Sequence, residues 1–195
     1  MGISAVSICN MAISKFGAEP ILALTEDSQN ARACNRVYEQ ARDNLLRTHP
    51  WNFAVNRATL AMLSAAPAYG YDHAYQLPSN PYCLRVLELH EERDEGYDWH
   101  IEGRTLVTDA DTARIKYIAR ITDPTWFDAG FVDVLVLRIA AETAIPITGE
   151  ASIAKAMVST YQDALAEAIG EDAIEGHADE DDKPIEAEGS WTSKR

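Results

Sequence analysis

Cysteine is scarce in this 195-residue chain, with only Cys9, Cys34 and Cys83, an odd set without C-x-x-C spacing. That argues against a disulfide framework and for a reducing compartment, with all three read as small buried hydrophobes. Positive charge is also short: 17 Lys and Arg face 31 Asp and Glu, a formal net charge of -14. A surface that grips nucleic acid needs cations to displace counterions, so the balance argues against that class. Long apolar runs are missing. The best, Phe131 to Ile147, is interrupted by Asp133, Arg138 and Glu142 and falls short of the roughly 20 apolar residues of a bilayer span. No basic leader precedes Ile3–Ile13, and Val6 stands where myristoylation wants Ser or Thr. Neither a signal peptide nor lipidation is expected, and the chain reads as soluble, with no membrane partner.

Signatures of chemistry are equally thin. The phosphate-cradling patterns G-x-x-x-x-G-K-[ST] and G-x-G-x-x-G are absent, as is the nucleophile elbow G-x-S-x-G. His90 and His100 fall on what read as neighbouring strands, but no third ligand stands at metal-site spacing. Asp109-Ala110-Asp111 starts like a calcium loop and lacks its later Gly and Glu, so it reads as a turn. With this many carboxylates an acid pair is conceivable, and Glu88, Glu91 and Glu102 are its best candidates. That leaves an alternative function, a peptidoglycan hydrolase that uses such a carboxylate pair. The expectation is no catalytic residue, no cofactor and no metal.

What the chain does have is ordinary globular material, 47% apolar, enough for a sizeable core without staples. Ser4 is placed to cap a first helix with Ala5, Ile8, Ala12, Ile13 and Phe16 at helical spacing, closed by Gly17. A second helix is predicted from Asp27 or Ser28 to about Thr48, with Cys34, Tyr38, Ala41 and Leu45 as its buried stripe and an exposed Asp43–Arg47 pair. Between Trp51 and Ile121 the pattern becomes strand-like. Candidate strands are Phe53–Leu63, Tyr71–Leu77, Leu84–His90, Tyr97–Ile101, Thr105–Thr108 and Arg114–Ile121, with a hairpin at Glu102-Gly103-Arg104. No helix separates them, so an antiparallel meander is expected. Helix returns behind Asp123-Pro124 as an apolar central helix, Phe127–Ile145, stopped by Pro146 and Gly149. Ser152 then opens a last helix ending at Gly170.

The fold class is therefore α+β: a four-helix bundle-like layer (1–50 and 122–170), an inserted antiparallel β-meander (51–121) and an acidic tail (171–195). The tail holds nine acids and three bases. It is expected to be disordered alone and dispensable for folding of the body. Trp191 near its end is either incidental or an anchor that orders on a partner. Arg138 and Glu142 lie four residues apart in the most apolar helix, and either satisfy each other or face another subunit.

One segment stands out: Arg42-Asp43-Asn44-Leu45-Leu46-Arg47-Thr48-His49-Pro50-Trp51-Asn52-Phe53-Ala54, with Arg57 following. Pro50 has no N–H to donate and forces His49 out of helical dihedrals, so helix must give way there. Trp51, Phe53 and Val55 then alternate with polar or small residues. The segment reads as a rigid corner set by Pro50, Trp51 and Phe53, with Arg42, Arg47 and Arg57 free to reach a neighbour.

Residues 3–170 resemble the tail tubular protein A family, the head-to-tail adaptors of short-tailed bacteriophages. The likeness rests on that segment, on Ser7-Ile8-Cys9-Asn10-Met11-Ala12 with Phe16-Gly17-Ala18, and on Ala74-Tyr75-Gln76-Leu77-Pro78. It continues through Cys83-Leu84-Arg85-Val86-Leu87, Glu102-Gly103-Arg104, Thr122-Asp123-Pro124, Ala140-Ala141-Glu142-Thr143-Ala144 and Ile147-Thr148-Gly149. The tail lies outside it. The resemblance implies a structural, non-enzymatic virion protein assembled in the host cytoplasm, a ring of twelve copies under the portal protein. The tail nozzle protein would attach below and tail fibres would rest outside. Double-stranded DNA would pass through without specific binding. Arg42, Arg47, Arg57, Arg138, Glu142 and Trp191 are the candidate subunit or partner contacts.

Overall fold

The computed structural model describes residues 2–90 and 96–177 and holds four α-helices and two antiparallel sheets. Helices α1 (Ala5–Ser14) and α2 (Gln29–Thr48) begin at Ser4 and Ser28, whose side chains accept from the backbone N–H of Ser7 and Ala31. Each cap satisfies one of the orphan donors of a helix start. The stripe of α2 is as the spacing predicts: Cys34, Tyr38, Ala41 and Leu45 are all buried. Helix α3 (Ala129–Thr148) is capped by Asp128 rather than Asp123, whose own role is to cap a 3-10 turn at Pro124–Trp126. It packs against α1, α2 and a long α4 (Ala151–His177), and Phe131, Leu135, Ile139 and Ala140 are fully enclosed.

Two helix ends differ from expectation. Pro146 does not stop α3 but sits in its last turn, and the helix closes at Gly149, where φ is 75°. Proline costs a helix one donor and crowds the preceding turn, and here it stands exposed with only Ile147 and Thr148 of the helix after it. Gly149 takes the left-handed conformation that helix ends commonly use. The second difference is larger. Gly170 does not end α4, which continues to His177, so the first part of the expected disordered tail is helix. Trp191 and the rest of the tail lie outside the described residues.

The sheets are not a simple meander. Strands β1 (Val55–Thr59), β7 (Arg114–Ala119) and β4 (Cys83–His90) form one sheet in the order β1-β7-β4. Strands β2 (Ala61–Met62), β3 (His73–Gln76), β6 (Thr105–Thr108) and β5 (Trp99–Glu102) form the other, in the order β2-β3-β6-β5. Every pairing is antiparallel, and the β5–β6 hairpin turns at Gly103 as predicted. The late strands β6 and β7 each insert beside earlier ones, a non-local choice that local alternation cannot reveal. The predicted strand from Phe53 is also shorter than expected: Asn52–Ala54 is a 3-10 turn and β1 starts at Val55.

Side chains alternate across each strand, so the three-stranded sheet has two different faces. One carries Ile115, Tyr117 and Ala119, which pack with Tyr75, Leu77 and Leu106 of the four-stranded sheet into a second core. The other carries Ile118, which joins the main core of α1, α2 and α3. Beyond Ile118 that face is open.

Candidate functional site

The place where helix gives way to sheet is closely bonded on several sides. His49, pushed off helical dihedrals by Pro50, sits at φ -135° and ψ 147°. Trp51 is completely enclosed, and its indole N–H donates to the Leu45 carbonyl at 3.1 Å, which fixes the turn to the helix it leaves. The ring stands edge-on to Phe131 (5.3 Å, 85°) and to His49 (5.1 Å, 80°). Phe53 packs on Phe131 at 5.1 Å and on Phe127 at 5.9 Å. Such edge-to-face contacts add roughly 0.5–1.5 kcal/mol each beyond area burial. Pro50, Trp51 and Phe53 do form the corner, although through a 3-10 turn and not by strand alternation.

Of the motif's arginines, Arg42 turns inward while Arg47 bonds from an exposed position. Arg42, expected at a subunit surface, is 5% exposed. It bonds Asp43 through Nε at 2.9 Å and Nη2 at 2.8 Å, and Asp43 in turn holds Arg120 Nε at 2.7 Å. Asp43 therefore does not form the predicted surface pair with Arg47. Arg47 reaches instead into the β-layer and donates to the Leu84 carbonyl. From the β5–β6 turn, Arg104 donates to the carbonyls of Cys83 (2.7 Å) and Pro78 (2.5 Å). The guanidinium groups of Arg104 and Arg120 stack on Tyr82 at 3.9 and 4.4 Å from the ring centre. A planar guanidinium suits this role, because it bonds in its plane and stacks on its face. Arg47 and Arg120 thus tie α2 to the three-stranded sheet, and Arg104 ties the β5–β6 turn to Cys83 and Pro78; no reactive geometry arises among them.

A carboxylate that sequence reading missed closes the site. Asp172, on the unexpected last turns of α4, accepts the Asn52 backbone N–H at 3.0 Å and meets His49 Nε2 at 2.8 Å. The Asn52 side chain donates back to the Asp172 carbonyl at 2.7 Å. Gly176 permits the approach, since a Cβ there would lie 3.1 Å from Asn52 Oδ1. Only the polar pair His49 and Asn52 beside Pro50 hinted at a partner, and nothing local identified it.

The remaining candidates are dispersed. Arg138 and Glu142 bond each other at 2.5 Å with about a third of each side chain exposed, and Arg138 also lies 5.5 Å from the centre of the Tyr161 ring. They form a surface pair on α3, not a buried one. Arg57 is exposed on β1, away from the corner. Glu88 lies on β4 of one sheet and Glu102 on β5 of the other, so they share no strand pairing, and Glu91 lies outside the described residues. His90 and His100 are likewise on different sheets, and His100 Nδ1 is bonded to the Tyr71 hydroxyl at 2.5 Å. No metal-binding group of three His, Cys, Asp or Glu side chains occurs among the described residues. No described helix is long and apolar enough to cross a membrane.

The cysteines are buried and free. A hydrogen bond with Cys34, together with burial, pushes the Cys9 thiol far above the ordinary range, and burial pushes Cys83 up as well. A protonated, enclosed thiol is a poor nucleophile.

No family model matches this chain, and a search of curated proteins returns no match.

Proposed function

We propose that the chain is a structural, non-catalytic subunit of the head-to-tail adaptor of a short-tailed phage virion. On this reading twelve copies form a ring between the portal protein and the tail nozzle protein. The helical layer acts as a bundle that meets neighbours and portal, and the sheets face the nozzle. Tail fibres rest outside, and double-stranded DNA leaves through the middle without being bound specifically. The acidic charge suits a conduit, because it discourages adhesion of a polyanion with about one charge per 1.7 Å.

One observation carries the reading. The longest segment of the family resemblance, Arg42 to Ala54, forms a bonded joint between layers, with Arg42 and Trp51 buried and the exposed Arg47 tied to Leu84. Residues conserving the angle between two layers are what a load-carrying ring subunit requires, and they are not a substrate site. The test is electron microscopy of the purified protein mixed with portal rings. Added density of regular rotational symmetry beneath the portal is expected. Monomers only, with bare portals, would refute it.

A further inference from the structure

The open face of the three-stranded sheet gathers cations that the joint does not use. Strand register sets Arg57, Lys116 and Glu88 opposite one another in one row, and Thr59, Arg114 and His90 in the next row of the same face. These two rows line a cleft of about 450 Å³. Lys116 meets Glu88 only at 3.9 Å, and Arg57 has no ion-pair partner among the described residues. On a chain with a net charge of -14, the described residues of this face set Arg57, Lys116 and Arg114 against the single acid Glu88.

Helix α4 presents the complement. Asp163, Glu167, Glu171 and Glu175 recur every fourth residue, all exposed, and none makes an ion pair among the described residues. Like charges at that spacing destabilise a lone helix, so the ridge favours a cationic counterpart. The dimensions agree. Three strands span about 10 Å, and successive rows lie about 7 Å apart along them. A helix is about 10–12 Å across, and residues four apart rise about 6 Å. A helix laid along the strands therefore brings successive carboxylates over successive rows.

We propose that this cleft receives the acidic ridge of α4 from a second copy of the chain, joining subunits head to tail. The two surfaces lie on different layers of one subunit, so the contact is heterologous, adds one sheet face to the neighbour contacts given above to the helical layer, and closes into a ring or runs on as a chain. The biological setting rests on the adaptor reading; the contact itself does not.

Sedimentation velocity decides it with two double variants, Arg57→Glu with Lys116→Glu and Asp163→Lys with Glu167→Lys, their folding checked by circular dichroism. If the first pair fails to fold, Arg57→Gln with Lys116→Gln replaces it. The native chain should self-associate in a concentration-dependent way that weakens at least tenfold between about 50 and 500 mM salt. Each variant alone should stay monomeric. The second is the sharper case, because it makes the chain less negative and would associate more readily if overall repulsion were in control. Mixing the two variants should restore association. A native chain that is monomeric at every salt concentration, variants that associate as well as it does, or a mixture that fails to recover would each overturn the proposal. Binding of a short duplex DNA that is lost with Arg57→Glu and Lys116→Glu would assign the cleft to another occupant and overturn it too. The same proteins added to portal rings separate the two readings. Rings formed by the native chain and by both variants would sink the contact and leave the adaptor; bare portals with the native chain would sink the adaptor.

Discussion

Replacing Asp172 should cost this protein far more than an acid in a polar C-terminal stretch would suggest. Its side chain is 9% exposed, and its two oxygens serve the Asn52 N–H and the His49 ring at 3.0 and 2.8 Å. Asp172→Ala leaves both without that acceptor in a largely dry place. A buried polar group stripped of its partner costs about 1–3 kcal/mol. The His49 side chain keeps 15% exposure and Asn52 is an exposed residue, so water offsets part of the loss from the two broken bonds, and about 1–3 kcal/mol is expected in all. At roughly 2–4 °C per kcal/mol for a domain of this size, melting should fall by about 2–12 °C. Asp172→Asn keeps an acceptor for Asn52 and should lose about half as much. Asn52→Ala combined with Asp172→Ala should be strongly non-additive in denaturant titration, because both substitutions break one network. Two truncations complete the test. Ending the chain after His177 should leave stability within about 0.5 kcal/mol of full length, whereas ending it after Gly170 should reproduce the Asp172→Ala loss. Equal stability of the two truncated chains, or an Asp172→Ala loss below about 0.5 kcal/mol, would refute the reasoning, which replaces the expectation that all of residues 171–195 is dispensable.

Other outcomes are expected on separate grounds. Trp51→Ala empties a fully enclosed site and breaks the bond to Leu45; calorimetry should show a loss of about 3–5 kcal/mol, and an unchanged melting temperature would count against a packed corner. Gly149→Ala meets open space but must hold φ at 75°, so it should lose about 1–2 kcal/mol by strain alone, read in urea. Arg138→Ala removes a surface pair with a third of each side chain exposed and should change stability by less than about 1 kcal/mol. Burial pushes the Tyr38 hydroxyl up to about 12. Stability should therefore be intact below the ordinary tyrosine value near 10 and decline from there through about 12, because the unfolded chain loses that proton first. Tyr38→Phe should flatten that alkaline decline, followed by ultraviolet titration of phenolate.

Much of the helical part is legible in the sequence because its signals are local. Ser4 and Ser28 announce helix starts, and Cys34, Tyr38, Ala41 and Leu45 announce the buried stripe by spacing alone. Pro50 announces a break without reference to the rest of the chain. Strand existence is similarly readable: Thr105–Thr108 coincides with prediction, and β4 and β7 lie within a residue or two of it. Strand order is not readable, because β7 chooses β1 and β4 as neighbours through the packing of Ile115 and Tyr117 against the second sheet. Alternation tells which residues share a face, never which strand stands beside it.

The joint shows the same division between local and distant causes. Arg42, Arg47 and Asp43 sit on α2 at positions where a helical wheel gives them a polar face, and a lone helix would leave them in water. Arg47 and Asp43 become links between layers only because Leu84 and Arg120 arrive from segments 37 or more residues away. Residues 171–177 are helical for a related, non-local reason. Their composition is polar, and Ile174 remains 75% exposed, so no apolar face announces a helix. What holds them is a handful of hydrogen bonds between Asp172 and a corner 120 residues earlier. Composition measures how much surface a segment can bury, and a segment held by a few well-placed polar contacts escapes that measure. The joint was thus visible as a bend but not as a clasp, and the clasp makes the end of α4 part of the architecture on which the ring reading depends.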